Sequence, residues 1–120
     1  MKIKIEIVQE IVVSFKRYKL TSQQLPDNDT PDLVKIKTLI SDLTQNERAE
    51  LIALMGFGRD KRNLESFAER KLEAQNLSYR PEETFEYIIG QNNLVLYLET
   101  GLKRLTHTEQ PMAKMYFDRD

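Results

Sequence analysis

The sequence predicts an all-α fold, namely a compact single-domain bundle of about five helices with an ordered C-terminal tail. Apolar residues recur at spacings of three and four through most of the chain, which is the period of one helix face. Residues that favour helix starts and ends stand at the borders of these periodic segments. The length of 120 residues suits one domain. We expect residues 1–105 to form the helical domain and residues 106–120 to form the tail.

The first helix is expected from about Glu6 onward, because apolar residues that include Ile11 and Phe15 share one helix face. In residues 1–5, β-branched side chains alternate with other residues, so strand, helix and coil all remain open there. The polar stretch 21–30 is rich in turn-forming residues and predicts a loop.

A second helix is expected to begin at Pro31, with Thr30 as its capping residue and Asp32 near its positive end. Thr44 and Glu47 then form a capping box for a third helix, since each side chain satisfies a backbone N–H of the other residue. Together these two starts divide this part of the chain into two helices.

The third helix is apolar on most of its sides, so we expect it at the centre of the domain. Four of its side chains are expected to be almost fully enclosed, and these are Leu51, Ile52, Leu54 and Met55. Gly58 is expected to end this helix as its C-cap.

Three further periodic segments follow the third helix. The first of them carries Leu64, Phe67, Ala68, Leu72 and Gln75. A short helix is expected from Pro81 until Gly90 ends it, and Asn92 or Asn93 caps the last helix. Gly101 lies inside the last pattern, where a glycine costs about 1 kcal/mol relative to alanine. We therefore expect a close crossing with another helix at Gly101.

Composition excludes several classes of site. The chain has no cysteine, which excludes disulfides, thiolate catalysis and cysteine-based metal centres. The formal net charge of −1 gives no general attraction to nucleic acid or to anionic lipid. No run approaches the roughly 20 apolar residues of a membrane span, and Glu6 and Gln9 interrupt the apolar start that a secretion signal needs. We therefore expect a cytoplasmic protein with no membrane partner.

Residues suited to catalysis or metal binding are sparse. His107 is the only histidine, and it lies in the tail, where a solvated side chain is expected. The carboxylates cluster at predicted helix starts, where the helix dipole favours acids. They are Glu47, Glu50, Glu82, Glu83 and Glu86. No catalytic residue, metal ligand or cofactor is predicted, although an enzyme with an unfamiliar carboxylate or arginine site stays open.

The most basic stretch is Arg59–Arg62, which lies between two helices like the turn of a DNA-binding helix-turn-helix. The helix that would enter the DNA groove has three acids and two bases on its exposed face, so phosphates would repel it. An ordinary helical hairpin is favoured, and no specific nucleic acid is expected as a partner. Arg59 and Asp60 are expected to form a local salt bridge at the helix end.

Two separate stretches form motifs. The first is Ser41–Met55, followed by Gly58-Arg59-Asp60. The second is Tyr87–Gly90, followed by Leu94, Tyr97–Glu99 and Gly101-Leu102. Through these motifs the chain resembles a bacterial family known only as domain of unknown function 3775. The resemblance implies a compact bacterial helical domain and supplies no activity. The chain departs from the family pattern at Gly56, where an aromatic residue is frequent, and near Gln91-Asn92, where a Thr-Pro pair is frequent. The motif positions of unknown role are Gly58, Arg59, Asp60, Gly90, Tyr97, Glu99 and Gly101.

The favoured function is a non-enzymatic helical module that binds another protein, either an unknown partner or a second copy of itself. The alternative from another class is a small nucleic-acid-associated regulator that uses the basic turn 59–62. The tail carries Met112, Met115 and Tyr116 at the spacing of one helical turn. We expect this tail to dock in an apolar groove, either of its own domain or of a neighbouring copy.

Overall fold

The computed structural model describes residues 2–21, 31–60, 66–77 and 79–109, and within these ranges every regular element is a helix. The described helices are α1 (Ile5–Thr21), α2 (Pro31–Ser41), α3 (Gln45–Arg59), α4 (Phe67–Leu77), α5 (Pro81–Ile89) and α6 (Leu94–Glu109). None of them is long and apolar enough to cross a membrane. The all-α class is therefore confirmed. The expected number of about five is one too low, because each of the six periodic segments forms its own helix, including the nine-residue α5.

Several predictions concern residues outside the described ranges. These are the loop at 22–30, Leu64, the basic residues Lys61 and Arg62, and the tail beyond Glu109. α6 extends through 106–109, so four residues assigned to the tail belong to a helix. The segment 2–4, for which the sequence leaves strand, helix and coil open, has irregular backbone and leads into α1.

α3 is the central helix of the fold. It packs against α4, α5 and α6, while α1 packs against α2 and α6, and α2 packs against α5. As predicted, Leu51, Leu54 and Met55 are fully buried. The prediction for Ile52 is wrong, because this side chain faces a cleft between α3 and α4 and is only half-buried.

Replacing Leu54 by alanine is expected to lower the free energy of unfolding by about 2–5 kcal/mol, the usual range for a buried leucine. Denaturant unfolding of the two proteins measures the change. Leu72→Ala is the matched control, because Leu72 is 59% exposed and its truncation should change the free energy by no more than about 0.5 kcal/mol. Equal losses in both variants would contradict this assignment of the core.

The predicted capping box sets the start of α3. The Glu47 N–H donates to Thr44 Oγ1 at 3.1 Å, and the Thr44 N–H donates to Glu47 Oε1 at 2.9 Å. The end of α3 differs from the prediction, since the helix continues to Arg59 and Asp60 is its C-cap. Gly58 therefore lies inside the helix, and its lack of a side chain serves a contact with α6.

α3 and α6 cross at two glycines. A Cβ atom at Gly58 would overlap the carbonyl oxygen of Tyr97, and a Cβ atom at Gly101 would overlap the carbonyl oxygen of Leu54. The close crossing expected at Gly101 is therefore present, and Gly58 is its counterpart on α3. The two backbones approach this closely because neither helix carries a side chain at the contact.

The inward face of α4 differs from the predicted one. Phe67 and Ala74 are buried, whereas Ala68 and Leu72 are exposed. The apolar pattern misplaces the contact face because the side chain of Arg70, only 10% exposed, lies against α3. A long charged side chain can cover apolar surface with its stem, and the spacing of apolar residues does not register it.

Glu50 is a fully buried carboxylate in α3. Both of its oxygens accept the backbone N–H of Lys2, at 2.8 and 2.9 Å, and Oε1 also accepts the N–H of Ile3 at 2.7 Å. Lys71 Nζ, from α4, lies 3.0 Å from Oε2. Burial by itself raises the pKa of the Glu50 carboxyl, but the hydrogen bonds from Lys2, Ile3 and Lys71 outweigh it, and the pKa lies below its ordinary value.

The helix-dipole interpretation of Glu50 is therefore wrong. Glu50 is the sixth residue of α3, so it lies beyond the first turn, where the dipole acts. Its carboxylate instead fixes the segment before α1 and one side of α4. The interpretation holds for Glu47, which lies in the first turn of α3.

Candidate functional site

The motif positions marked by the family resemblance do not form one site. They divide among the crossing of α3 and α6, the end of α3, the end of α5, and the space between α1 and α6. Gly58, Tyr97 and Gly101 lie at the crossing. Arg59 and Asp60 lie at the end of α3, and Gly90 lies at the end of α5. Glu99 lies between α1 and α6. The crossing requires the absence of a side chain at Gly58 and Gly101, whereas Tyr97 contributes only its carbonyl oxygen to it and Gly90 is the C-cap of α5.

Two arginines share one carboxylate at the end of α3, and we call Arg59, Asp60 and Arg70 the arginine cluster. Arg59 Nε lies 3.3 Å from Asp60 Oδ1, so the local salt bridge expected from the sequence is present. Arg70 Nη1, from α4, lies 3.3 Å from Oδ2 of the same carboxylate. Asp60 thus joins α4 to the end of α3, a tertiary contact that spacing along the chain does not indicate.

Arg59 also reaches α5 and the turn after it. Its Nη1 donates to the Tyr87 hydroxyl at 3.3 Å and to Gln91 Oε1 at 3.5 Å. Hydrogen bonds to Tyr87 and to the neighbouring aspartate raise the pKa of the Arg59 guanidinium further above its already high ordinary value. The guanidinium of Arg59 is therefore engaged in hydrogen bonds and an ion pair within the domain. Lys61 and Arg62, the other basic residues of this turn, lie outside the described residues.

The two arginines of the arginine cluster line a cleft of about 140 Å³ between α3 and α4. Tyr79 and Tyr87 line it as well, with their rings stacked at a centroid distance of 5.9 Å. Glu73 is a further lining residue, so the two guanidinium groups stand with two carboxylates. The cleft is smaller than the roughly 300–1,000 Å³ typical of small-molecule sites. We interpret the arginine cluster as a structural contact that holds the end of α3 against α4 and α5.

The departure from the family pattern at Gly56 has a structural counterpart in Arg70. A Cβ atom at Gly56 would lie 2.9 Å from Arg70 Nη1. The guanidinium therefore occupies the space that a side chain at position 56 would need. The small residue at 56 and the buried arginine at 70 belong to one packing arrangement.

Glu83 caps the start of α5, in agreement with the interpretation of its acidic cluster. It accepts the Arg80 N–H at 2.9 Å, and this hydrogen bond lowers the pKa of the Glu83 carboxyl. In the part of the chain that the structure describes, no three side chains among His, Cys, Asp and Glu are grouped to hold a metal ion. The side chain of His107 lies outside that part.

An open groove runs between α1 and α6, and we define this α1/α6 groove by seven apolar lining residues, Val12, Val13, Phe15, Leu20, Val95, Leu96 and Leu102. It comprises two adjoining cavities of about 540 and 600 Å³. Lys16 and Glu99 line both cavities. Their ion pair, with Lys16 Nζ 3.6 Å from Glu99 Oε2, spans the groove.

Three large apolar side chains are exposed in the α1/α6 groove. Leu20 is 77% exposed, Leu96 is 57% exposed and Val13 is 48% exposed. Phe15 beneath them is buried and Val95 packs against the core, so the exposed apolar surface is continuous with the interior. Leu20 and Leu96 line one cavity and Val13 lines the adjoining one, so these exposed apolar side chains are clustered rather than scattered over the surface.

The rim of the α1/α6 groove is mainly basic. Lys16, Lys19 and Lys103 stand there with one acid, Glu99. Lys19 Nζ also lies 5.4 Å from the centre of the Phe15 ring, within cation–π range. The lysines therefore outnumber the acid among the charged residues that line the groove.

The packing of the helices explains why this groove exists. The glycine crossing holds α6 against α3, and α1 packs more closely against α2 than against α6. α1 and α6 are therefore neighbours whose facing sides are only partly covered. Their side chains form two walls with an open channel between them.

The sequence interpretation did not find the groove, although the last helix carries a signal of it. Residues 94–98 are five consecutive apolar residues, which is more than one helix face can bury. The structure buries Leu94 and Leu98 and exposes Leu96. Glu99, which directly follows this run, is the motif position that lines the groove.

Comparison with known proteins supports a family assignment. No curated protein and no solved structure matches the chain. The model of a family described as "Protein of unknown function (DUF3775)" matches residues 34–106, which is more than half of the chain. The match runs from α2 into α6, so it includes the glycine crossing, the arginine cluster and the α6 wall of the groove. The chain belongs to this family of proteins of unknown function.

Proposed function

We propose that the protein is a non-enzymatic, cytoplasmic interaction module whose α1/α6 groove binds an amphipathic helix of a partner protein. The observation that carries the proposal is the exposure of Val13, Leu20 and Leu96 in one groove whose floor joins the core. Burying apolar surface contributes about 25 cal/mol per Å². A partner that covers these side chains therefore gains free energy that the unoccupied groove lacks.

The dimensions and the charge of the groove fit a short helix. Residues 9–20 of α1 line it, a span of about 17 Å at the rise of 1.5 Å per residue in an α-helix. A partner helix of about three turns covers this distance and presents apolar side chains at i, i+3, i+4 and i+7. The lysine-rich rim favours glutamate or aspartate along the edges of that helix.

Replacing Leu96 by aspartate in the full chain is expected to weaken partner binding at least tenfold. A carboxylate buried in an apolar interface costs more than the roughly 1.4 kcal/mol that corresponds to a factor of ten. The measurement is capture from an extract of the native host, with each captured protein quantified by mass spectrometry. Circular dichroism checks that the variant remains helical.

Leu72→Asp is the matched control for this experiment. Leu72 is exposed to the same degree as Leu96, 59% against 57%, but it lies on α4, outside the groove. A partner retained by Leu72→Asp and lost by Leu96→Asp supports the proposal. Equal capture by the wild-type chain and Leu96→Asp would show that the groove is not the binding site. If sedimentation finds a dimer that only Leu96→Asp disrupts, the partner is a second copy.

A further inference from the structure

We propose that residues 110–120 of the same chain dock in the α1/α6 groove, with Met112, Met115 and Tyr116 against its apolar walls. The groove would then be covered by the protein's own C-terminal segment until a partner displaces it. The regulatory meaning of this contact rests on the proposed function. The contact itself rests on the position of the groove, the reach of the segment and the chemistry of both.

The path of α6 brings the segment to one end of the groove. One cavity is lined by Leu20 together with Asn92 and Leu96, and the other by Gln9 together with Lys103. α6 therefore runs antiparallel to α1. Its described course ends six residues beyond Lys103, so the segment begins just outside the Gln9 end of the groove.

The segment is long enough to cover the groove. Returning from the end of α6 to the far end of the groove requires about 25 Å, from the helical rise of 1.5 Å per residue. Eleven residues, 110–120, span at most about 36 Å when extended, and about 27 Å when 112–116 form one turn of helix. A more compact conformation still covers the nearer cavity, which Val13 and Leu102 line.

The side chains of the segment match an irregular apolar groove. Met112, Met115 and Tyr116 have the spacing i, i+3, i+4, so one turn of helix presents all three on the same edge. Methionine adapts its shape to uneven apolar surfaces, and tyrosine buries a ring while its hydroxyl stays in water. Docking would cover Val13 and Leu96, which the described residues leave exposed.

The acids in the last part of the segment can pair with lysines of the groove. Its last residues carry Asp118 and Asp120. Lys16 lies in the middle of the groove, where it lines both cavities, and Lys19 lies in the cavity that is farther from the end of α6. A segment that returns along the groove brings its carboxylates to these lysines.

A spin label tests this arrangement in the full chain. The chain has no cysteine, so Arg119→Cys provides a single attachment site for a nitroxide in ¹⁵N-labelled protein. We expect the amide signals of Leu20 and Leu96 to lose at least half their intensity, because the label then lies beside the groove. The signal of Leu72, on α4, should keep its intensity. Uniform intensities at all three positions would overturn the proposal.

Two further samples separate the possible occupants. Adding Met115→Asp and Tyr116→Asp to the labelled chain should restore the signals of Leu20 and Leu96, and their continued loss would contradict apolar docking. In a mixture of spin-labelled ¹⁴N protein and ¹⁵N protein without a spin label, we expect the amide signals of Leu20 and Leu96 to keep their full intensity. Loss of intensity in the mixture would place the segment on a neighbouring copy and overturn docking within one chain.

The outcomes for the segment and for the proposed function are distinguishable. Signal loss at Leu96, together with no partner captured even by Met115→Asp, supports the segment in the groove and contradicts the interaction module. The reverse result is a partner that the wild-type chain captures and Leu96→Asp does not, in a protein that shows no signal loss. It supports the interaction module and contradicts docking of the segment. If both proposals hold, Met115→Asp in the full chain should increase the captured partner severalfold, because it removes the competing segment.

Discussion

Alanine at position 58 is expected to destabilise the protein by more than about 3 kcal/mol, beyond the upper end of the usual cost of overpacking a core. The added Cβ would overlap the Tyr97 carbonyl oxygen and would crowd the backbone nitrogen of Gly101 at 2.7 Å. Both neighbours are backbone atoms, so no side-chain rotation can relieve the contact and α6 must move away from α3. The helix propensity gained on replacing glycine by alanine, about 1 kcal/mol, only partly offsets this cost.

Thermal and denaturant unfolding measure the loss for Gly58→Ala, and a fall in melting temperature of roughly 10 °C or more is expected. Gly90→Ala is the matched control. Gly90 has ordinary right-handed helical backbone angles, φ −73° and ψ −9°, and its added Cβ would lie 3.2 Å from the nearest atom. A stability change within about 1 kcal/mol is expected there. Wild-type stability in Gly58→Ala would disprove the close crossing.

Glutamine at position 50 is expected to lower the free energy of unfolding by about 3 kcal/mol at pH 7, the usual size when one partner of a buried ion pair is removed. The carboxylate accepts backbone N–H groups of Lys2 and Ile3 with both oxygens and pairs with Lys71. The side-chain amide of glutamine has only one oxygen that can accept from these donors. Its NH₂ group faces the remaining donors and cannot accept a hydrogen bond from them. Glu86→Gln, at an exposed position on α5, should change stability by less than about 0.5 kcal/mol.

The effect of Glu50→Gln should also depend on pH in a definite direction. The pKa of Glu50 is lower in the folded protein than in the unfolded chain, so the unfolded chain binds more protons in the interval between the two values. The stability that Glu50 contributes is complete above its unfolded pKa of about 4.3. It is lost as the pH falls through the folded-state pKa.

The difference in stability between wild type and Glu50→Gln should therefore shrink on acidification below about pH 4.3. The carboxyls of Glu10 and Glu83 also have lowered pKa values, but both are present in the two proteins and cancel in the difference. Urea unfolding at a series of pH values provides the measurement. A difference that stays constant from pH 7 down to pH 3 would contradict the role of the ionised carboxylate.

Local features of the fold were predictable because their causes are local. The capping box of Thr44 and Glu47 and the stop at Gly90 depend on residues a few positions apart. The burial of Leu51, Leu54 and Met55 follows from the apolar character of α3 on most of its sides. Gly101 was informative for a related reason, since a glycine within a helix costs stability unless close packing requires it.

Features that depend on distant residues were not predictable from spacing. Glu50 is buried because backbone groups 47 and 48 positions away donate to it, and nothing next to Glu50 in the sequence reports those donors. The inward face of α4 was missed because Arg70 takes a place that an apolar residue would normally occupy. The groove was missed because the exposure of Leu96 depends on where α1 lies.

The attachment of α4 also has a consequence for local unfolding. Phe67 and Ala74 are its buried apolar side chains, and charged contacts at Arg70 and Lys71 hold much of its inner face. Opening this one helix exposes less apolar surface than unfolding the whole domain, so it requires less free energy. Once Lys71 departs, the Glu50 carboxylate retains only the backbone donors of the segment before α1. Release of α4 thus weakens the hold on residues 2 and 3, and amide exchange in these two distant parts of the chain becomes coupled.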